Sequence, residues 1–194
     1  MTIAFVVGNG TSRQSVDLHE LKTRGKIYGC NALYRDFAPD VLVSTDKPIS
    51  ETIQNSGYAS SNTMYTRNPQ PGLGAKPISQ PYFGYSSGPI ALALAADADH
   101  TVMYIVGFDM GPNQNGKFNN VYADTEFYKK SSSTPTYTGN WARQMTMIMR
   151  NYPYKNFIRI IGPTTAQVQE FSNVPNLISM TMLDFLDRVR QNKL

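Results

Sequence analysis

Asn9, Asn31, Asp46 and Asp109 each stand just past a short apolar run, and Ser86-Ser87-Gly88 opens a segment rich in Ala, Leu and Ile. In open α/β sheets, ligands sit outside the carboxyl ends of the strands, so these positions are expected along one edge. Two amides, two carboxylates and two hydroxyls brought together there suit a nucleotide or a sugar. Asp46 and Asp109 could hold Mg²⁺ in company with a phosphate, or one of them could merely cap a turn.

The strongest local signal is the turn Gly8-Asn9-Gly10, which follows the apolar run Ile3 to Val7. Glycines let backbone approach a ligand closely, and the free amides of a following helix start attract phosphate. Thr11 and Ser12 can cap that helix. A tight turn with no ligand is the other reading. The dinucleotide pattern G-x-G-x-x-G is incomplete, because Gln14 and Ser15 follow where the last glycine belongs. There is no Walker sequence. Both histidines are expected at the surface, His19 on an exposed helix and His100 in a turn. That argues against a Ser-His-Asp triad, a Cys-His pair or a histidine-rich zinc site. The lone Cys30 excludes an internal disulfide and is expected to be a small buried residue.

The elements that must position these residues follow from the apolar pattern. Ile3 to Val7, Lys26 to Cys30, Asp40 to Ser44, Asn62 to Tyr65, Val102 to Val106, Phe157 to Ile161 and Leu177 to Met180 read as strands. Helices are expected after Ser12, near Pro48, from Ser87 through Ala96, over 139–151, and at the end along Met182, Phe185, Leu186 and Val189. Pro89 suits a first helical turn, and a helix apolar all round is buried. The methionines of 139–151 read as core packing. Residues 66–86, with four prolines and three glycines, read as an irregular loop. Residues 107–137 are a long polar loop and a candidate lid. Strands alternating with helices predict one Rossmann-like domain over 1–194, a doubly wound, mostly parallel sheet with helices on both faces.

Composition supports a globular chain: 194 residues, 41% hydrophobic and 16% charged, enough for one core. Net charge +4 is diffuse, with Lys129-Lys130 its densest point, so nucleic acid is not an expected partner. No run approaches the roughly 20 apolar residues of a membrane span. A soluble, cytoplasmic protein is expected.

Four blocks in order carry a family resemblance: Val6-Val7-Gly8-Asn9-Gly10-Thr11-Ser12, Gly29-Cys30-Asn31-Ala32-Leu33-Tyr34, Ser86-Ser87-Gly88 with its Ala-rich helix, and Tyr104-Ile105-Val106-Gly107-Phe108-Asp109. Together they resemble bacterial sialyltransferases of the lipooligosaccharide type, and the related archaeal-type 6-hydroxymethylpterin diphosphokinases. The sialyltransferase resemblance implies a CMP-sugar donor cradled by Gly8 to Ser12. Asn9 and Asn31 would contact its phosphate, ribose or sugar, Ser87 and Gly88 its base, and no metal would be required. It also implies a tyrosine after the Asp109 block, where Gly111 stands and Tyr122 or Tyr128 could substitute. A histidine base is implied near Gly139-Asn140-Trp141, where Asn140 cannot take a proton. The pterin-kinase resemblance rests on Pro39-Asp40 with Asp46, plus Asp109, and implies ATP and Mg²⁺. The expectation is a nucleotide- or nucleotide-sugar-binding protein, a small sialyltransferase-like transferase with Asp109 and Tyr122 as catalytic candidates. A Mg²⁺-dependent diphosphotransferase and a non-catalytic nucleotide binder are the alternatives, and a homo-oligomer is compatible with each.

Overall fold

A computed structural model describes residues 2–194. Its eight strands are β1 (Ile3–Val7), β2 (Lys26–Cys30), β3 (Val41–Val43), β4 (Met64–Thr66), β5 (Lys76–Pro77), β6 (Val102–Val106), β7 (Asn156–Ile161) and β8 (Leu177–Thr181). They form one sheet in the order β5-β4-β3-β2-β1-β6-β7-β8. Every pairing is parallel, so the expected fold class holds in its strictest form. Fully buried runs such as Ala4–Val7 and Val102–Val106 explain this, because a parallel sheet is covered on both faces.

The helices are α1 (Leu18–Lys22), α2 (Lys47–Asn55), α3 (Tyr58–Ser61), α4 (Ser87–Asp97), α5 (Gly139–Asn151) and α6 (Met182–Arg190). One core gathers Phe5, Leu21, Ile53 and Phe185 under α1, α2 and α6. The other gathers Val6, Ile105, Met145 and Met149 with all of α4's apolar residues. Helix α4 lies between the sheet and α5, which is why it is apolar on every side.

Three expectations are corrected, and one element is added. Thr11 and Ser12 do not cap an α-helix: Thr11–Ser15 is a 3-10 turn, and α1 starts later, capped by the Asp17 carboxylate. The cause is that Ser12 is bound by Asp109, which holds the chain in a tight turn. Residues 66–86 are not wholly irregular, since β5 adds an edge strand whose exit is tied by Ile78 N–H donating to Thr66 O. Asn31–Arg35 forms a 3-10 turn that the sequence reading left out. His100 is buried, its Nε2 3.0 Å from the Tyr28 hydroxyl, and burial pushes its pKa down.

No helix is long and apolar enough to cross a membrane. The loop 107–137 contains no regular element. It is laced to the β1 and β2 turns: Val121 N–H donates to Asn9 O, Arg35 to Thr125, and Ala32 N–H to the Tyr128 hydroxyl.

Candidate functional site

The chain runs from β1 outward to one edge of the sheet, then returns to β6 and works toward the other edge. Between β1 and β6 the direction reverses, and there the turns after the two strands part into a crevice. A cavity of about 320 Å³ opens at this point. Its walls hold Gly8, Asn9 and Gly10 after β1, Asn31 after β2, Asp46 after β3, and Asp109 after β6. Ser86, Ser87 and Gly88 line it from the start of α4. Its size lies within the usual ligand range.

At the glycine turn, donors and acceptors are consumed inside the protein. Gly8 and Gly10 N–H donate to Val106 and Gly107 O, both at 2.8 Å. Thr11 N–H and hydroxyl both donate to Asn119 Oδ1. Ser12 N–H donates to Asp109 Oδ2 at 3.0 Å, and its hydroxyl to Oδ1. The same carboxylate accepts from Asn119 Nδ2 and from the Thr164 and Thr165 hydroxyls. Asp109 is 4% exposed, and its two carboxyl oxygens are engaged by five donor groups. Gly10 is required by this contact, since a Cβ there would stand 2.5 Å from the Asp109 carboxyl carbon.

These contacts engage the donors expected to cradle a phosphate. Thr11 and Ser12 are absent from the cavity wall, and their amides have no free proton to offer an anion. Tyr122 is also displaced from the role expected of it. It is buried outside the cavity, its hydroxyl accepting from Arg13 Nη2 at 3.0 Å, and burial raises its pKa strongly.

The other end of the cavity is built differently. The Asn31 backbone sits at φ 52°, a strained value for a residue other than glycine. Its Oδ1 accepts from the Ser44 and Ser87 hydroxyls, each at 3.1 Å, so the side-chain amide is anchored by its oxygen. Its Nδ2 has no protein acceptor among the described residues. Asn9 is anchored the opposite way, with Nδ2 donating to Cys30 O at 3.1 Å. Its Oδ1 is buried without a partner. The two amides are thus oriented by their neighbours, Asn31 leaving a donor unspent and Asn9 a buried acceptor.

The Ser87 hydroxyl is fully used, donating to Asn31 and accepting from Thr45 N–H. The N–H groups of Ser87 and Gly88 lie in the first turn of α4, where no intrahelical acceptor exists. Arg67 lines the same end. Its Nε and one Nη donate to the Phe83 and Tyr85 carbonyls, leaving Nη1 unspent. Sequence reasoning passed over Arg67, although it is the first residue after β4 and the strand-end rule would have selected it.

Asp46 is exposed, and its carboxylate accepts no hydrogen bond from the protein among the described residues. Asp40 does not join it: Asp40 sits before β3, where it accepts from Ile27 N–H at 2.8 Å, whereas Asp46 follows that strand. Among the described residues, no three His, Cys, Asp or Glu side chains group as metal ligands do. Neither histidine lines the cavity, and Asn140 lies outside it on α5 with its side chain held by Arg143. Cys30 lines the cavity behind Asn9, buried as expected, and burial pushes its thiol up to about 12. Below Asp109, the buried Arg159 donates to Phe108 O at 3.1 Å. Burial lowers its pKa to about 10, which the Asp109 charge opposes. No family model, no curated protein and no solved structure matches this chain.

Proposed function

We propose that the cavity binds a nucleoside-monophosphate sugar without a metal, and that the protein is a small transferase of sialyltransferase-like type. The observation that carries this reading is the open end of the cavity: Arg67 Nη1 and two α4 amides beside two asparagines of fixed and opposite polarity. A phosphate placed against α4 would meet the positive end of an 11-residue helix and a guanidinium. The Asn9 acceptor and Asn31 donor would then read hydroxyl or amide groups on the nucleoside or sugar.

Charge separates this from triphosphate chemistry. Arg67 is the one cation in the wall, and Asp46 and Asp109 are also there. A single phosphodiester anion fits that balance; a nucleoside triphosphate does not without a bridging cation. Asp109 has its lone pairs engaged by five donors, which leaves Asp46 alone to hold Mg²⁺. For the transfer step, Asp46 is the carboxylate free to accept an acceptor's hydroxyl proton, in place of the histidine the resemblance implies.

A non-catalytic binder is the second reading, favoured by the absence of histidine from the cavity wall. Thermal shift with nucleoside monophosphates, triphosphates and nucleotide sugars, each with Mg²⁺ and with EDTA, tests the binding. A ligand at 100 times its dissociation constant adds about 2.7 kcal/mol. Stabilisation by a monophosphate sugar, equal in EDTA, is expected. Stabilisation by triphosphate only when Mg²⁺ is present overturns the metal-free reading. Release of free nucleotide from the stabilising sugar, lost in Asp46→Asn, separates transferase from binder.

A further inference from the structure

The two edges of the sheet are finished in different ways. Strand β5 ends it on one side with two residues, Lys76 and Pro77, both exposed. Short length, a lysine and a proline are the usual means of preventing an edge from pairing. Strand β8 ends the other side with five residues, Leu-Ile-Ser-Met-Thr, without a charge or a proline. Ile178 is 59% exposed there, and Leu183 is exposed at the start of the adjoining helix. Every second residue of such an edge turns its N–H and C=O outward with nothing to accept or donate.

A groove of about 430 Å³ runs along this edge between β8 and α6. Ile178 and Met180 lie on the strand side, and Asp184, Asp187, Arg188 and Gln191 line the helix side. The four helical residues have the spacing i, i+3, i+4, i+7 and so form one stripe. Asp187 and Arg188 occupy its centre. Asp187 shares only Oδ1, with Arg190 at 2.8 Å, and the Arg188 guanidinium has no acceptor among the described residues.

We propose that β8 and α6 form a two-fold interface with a second copy of this chain, the β8 strands pairing antiparallel into one continuous sheet. A two-fold contact requires a surface that complements itself. Centred on Ser179, antiparallel pairing sets Ile178 opposite the partner's Met180 and leaves only the small Ser179 at the axis. The same axis runs the two α6 stripes antiparallel, which sets Asp187 against the partner's Arg188, and Arg188 against the partner's Asp187. The charge pattern of the stripe is therefore complementary to its own reverse. The apolar edge supplies burial, and the charge pairs set the register.

Sedimentation of the full chain over a range of concentrations tests this. A concentration-dependent dimer is expected, and Ile178→Lys should shift it to monomer. Asp187→Arg and Arg188→Asp should each weaken dimerisation by about tenfold or more, because each sets like charges together across the axis. The double variant Asp187→Arg with Arg188→Asp should recover it, since the pairing is re-formed with its signs exchanged. All three positions are exposed or partly exposed, and circular dichroism melts check that each of the four variants folds. A chain that sediments as monomer at every concentration overturns the proposal and leaves the edge to some other strand. So does a dimer indifferent to Ile178→Lys, or a double variant no better than the single ones.

Discussion

The two ends of the central cavity are made from similar residue types and behave in opposite ways. At the glycine-turn end, the Gly10, Thr11 and Ser12 amides and both oxygens of Asp109 are matched within the protein. At the α4 end, Arg67 Nη1, two helix amides, Asn31 Nδ2 and Asn9 Oδ1 are left over. A glycine-bearing turn after the first strand is thus a clasp here, joining β1 to β6 and to the threonines after β7. Ligand capacity has to be judged from unspent donors and acceptors, not from the presence of a motif.

The largest expected effect breaks the clasp. Asp109→Ala leaves the buried Ser12 N–H and hydroxyl without their acceptor and removes the carboxylate facing the buried Arg159, costing about 3–5 kcal/mol and lowering the melting temperature by roughly 10 °C. Calorimetry reads this directly. An Asp109→Ala protein that melts like the parent but no longer binds nucleotide sugar would reverse the comparison and make the glycine turn the ligand's end.

A smaller effect is expected from Arg67→Ala, which removes the cation of the open end. Affinity for the proposed nucleotide-sugar ligand should fall by roughly tenfold to a hundredfold, the range for a hydrogen bond to a charged group. The melt of the ligand-free variant, taken alongside, reports the lost ties to Phe83 and Tyr85. Unchanged affinity in isothermal titration would remove the anion from this end.

The smallest effect sharpens how dry the wall behind Asn9 is. With its thiol pushed up to about 12 by burial, Cys30 holds on the order of a thousandfold less thiolate at pH 8 than a free cysteine. Iodoacetamide should label the native chain very slowly and the unfolded chain at once. Because the folded pKa is raised, the buried thiol favours folding below the unfolded value of about 8.5, and that contribution declines as pH rises above it. Rapid labelling of native protein would mean that water reaches the thiol behind Asn9.

The strands were legible because burial on both faces writes itself as apolar runs, as in Ile3–Val7 and Val102–Val106. The same is true of α4, whose apolarity follows from its place between sheet and α5. What escaped the sequence depends on distant partners. Nothing near Asp109 announces Thr164 and Thr165, some 55 residues away, which help turn it from a candidate ligand into a structural anion. Nothing near Tyr122 announces Arg13, 109 residues earlier. His100 looked like a turn residue because its cover, Tyr28, arrives from another strand. The strand ends Asn9, Asn31, Asp46 and Asp109 do converge on one cavity. Which of their atoms are free is decided only by tertiary contacts.

Trp141 is the chain's single tryptophan, and it stands in the wall of that cavity. The molecule therefore carries its own optical reporter at the place where a base or sugar would settle. An aromatic base against the indole should quench its emission, and a sugar displacing water from it should move the emission maximum to shorter wavelength. One unlabelled fluorescence titration thus distinguishes which part of the ligand lies against α5. Excitation at the red edge of the indole band, where the chain's 12 tyrosines scarcely absorb, isolates this one residue.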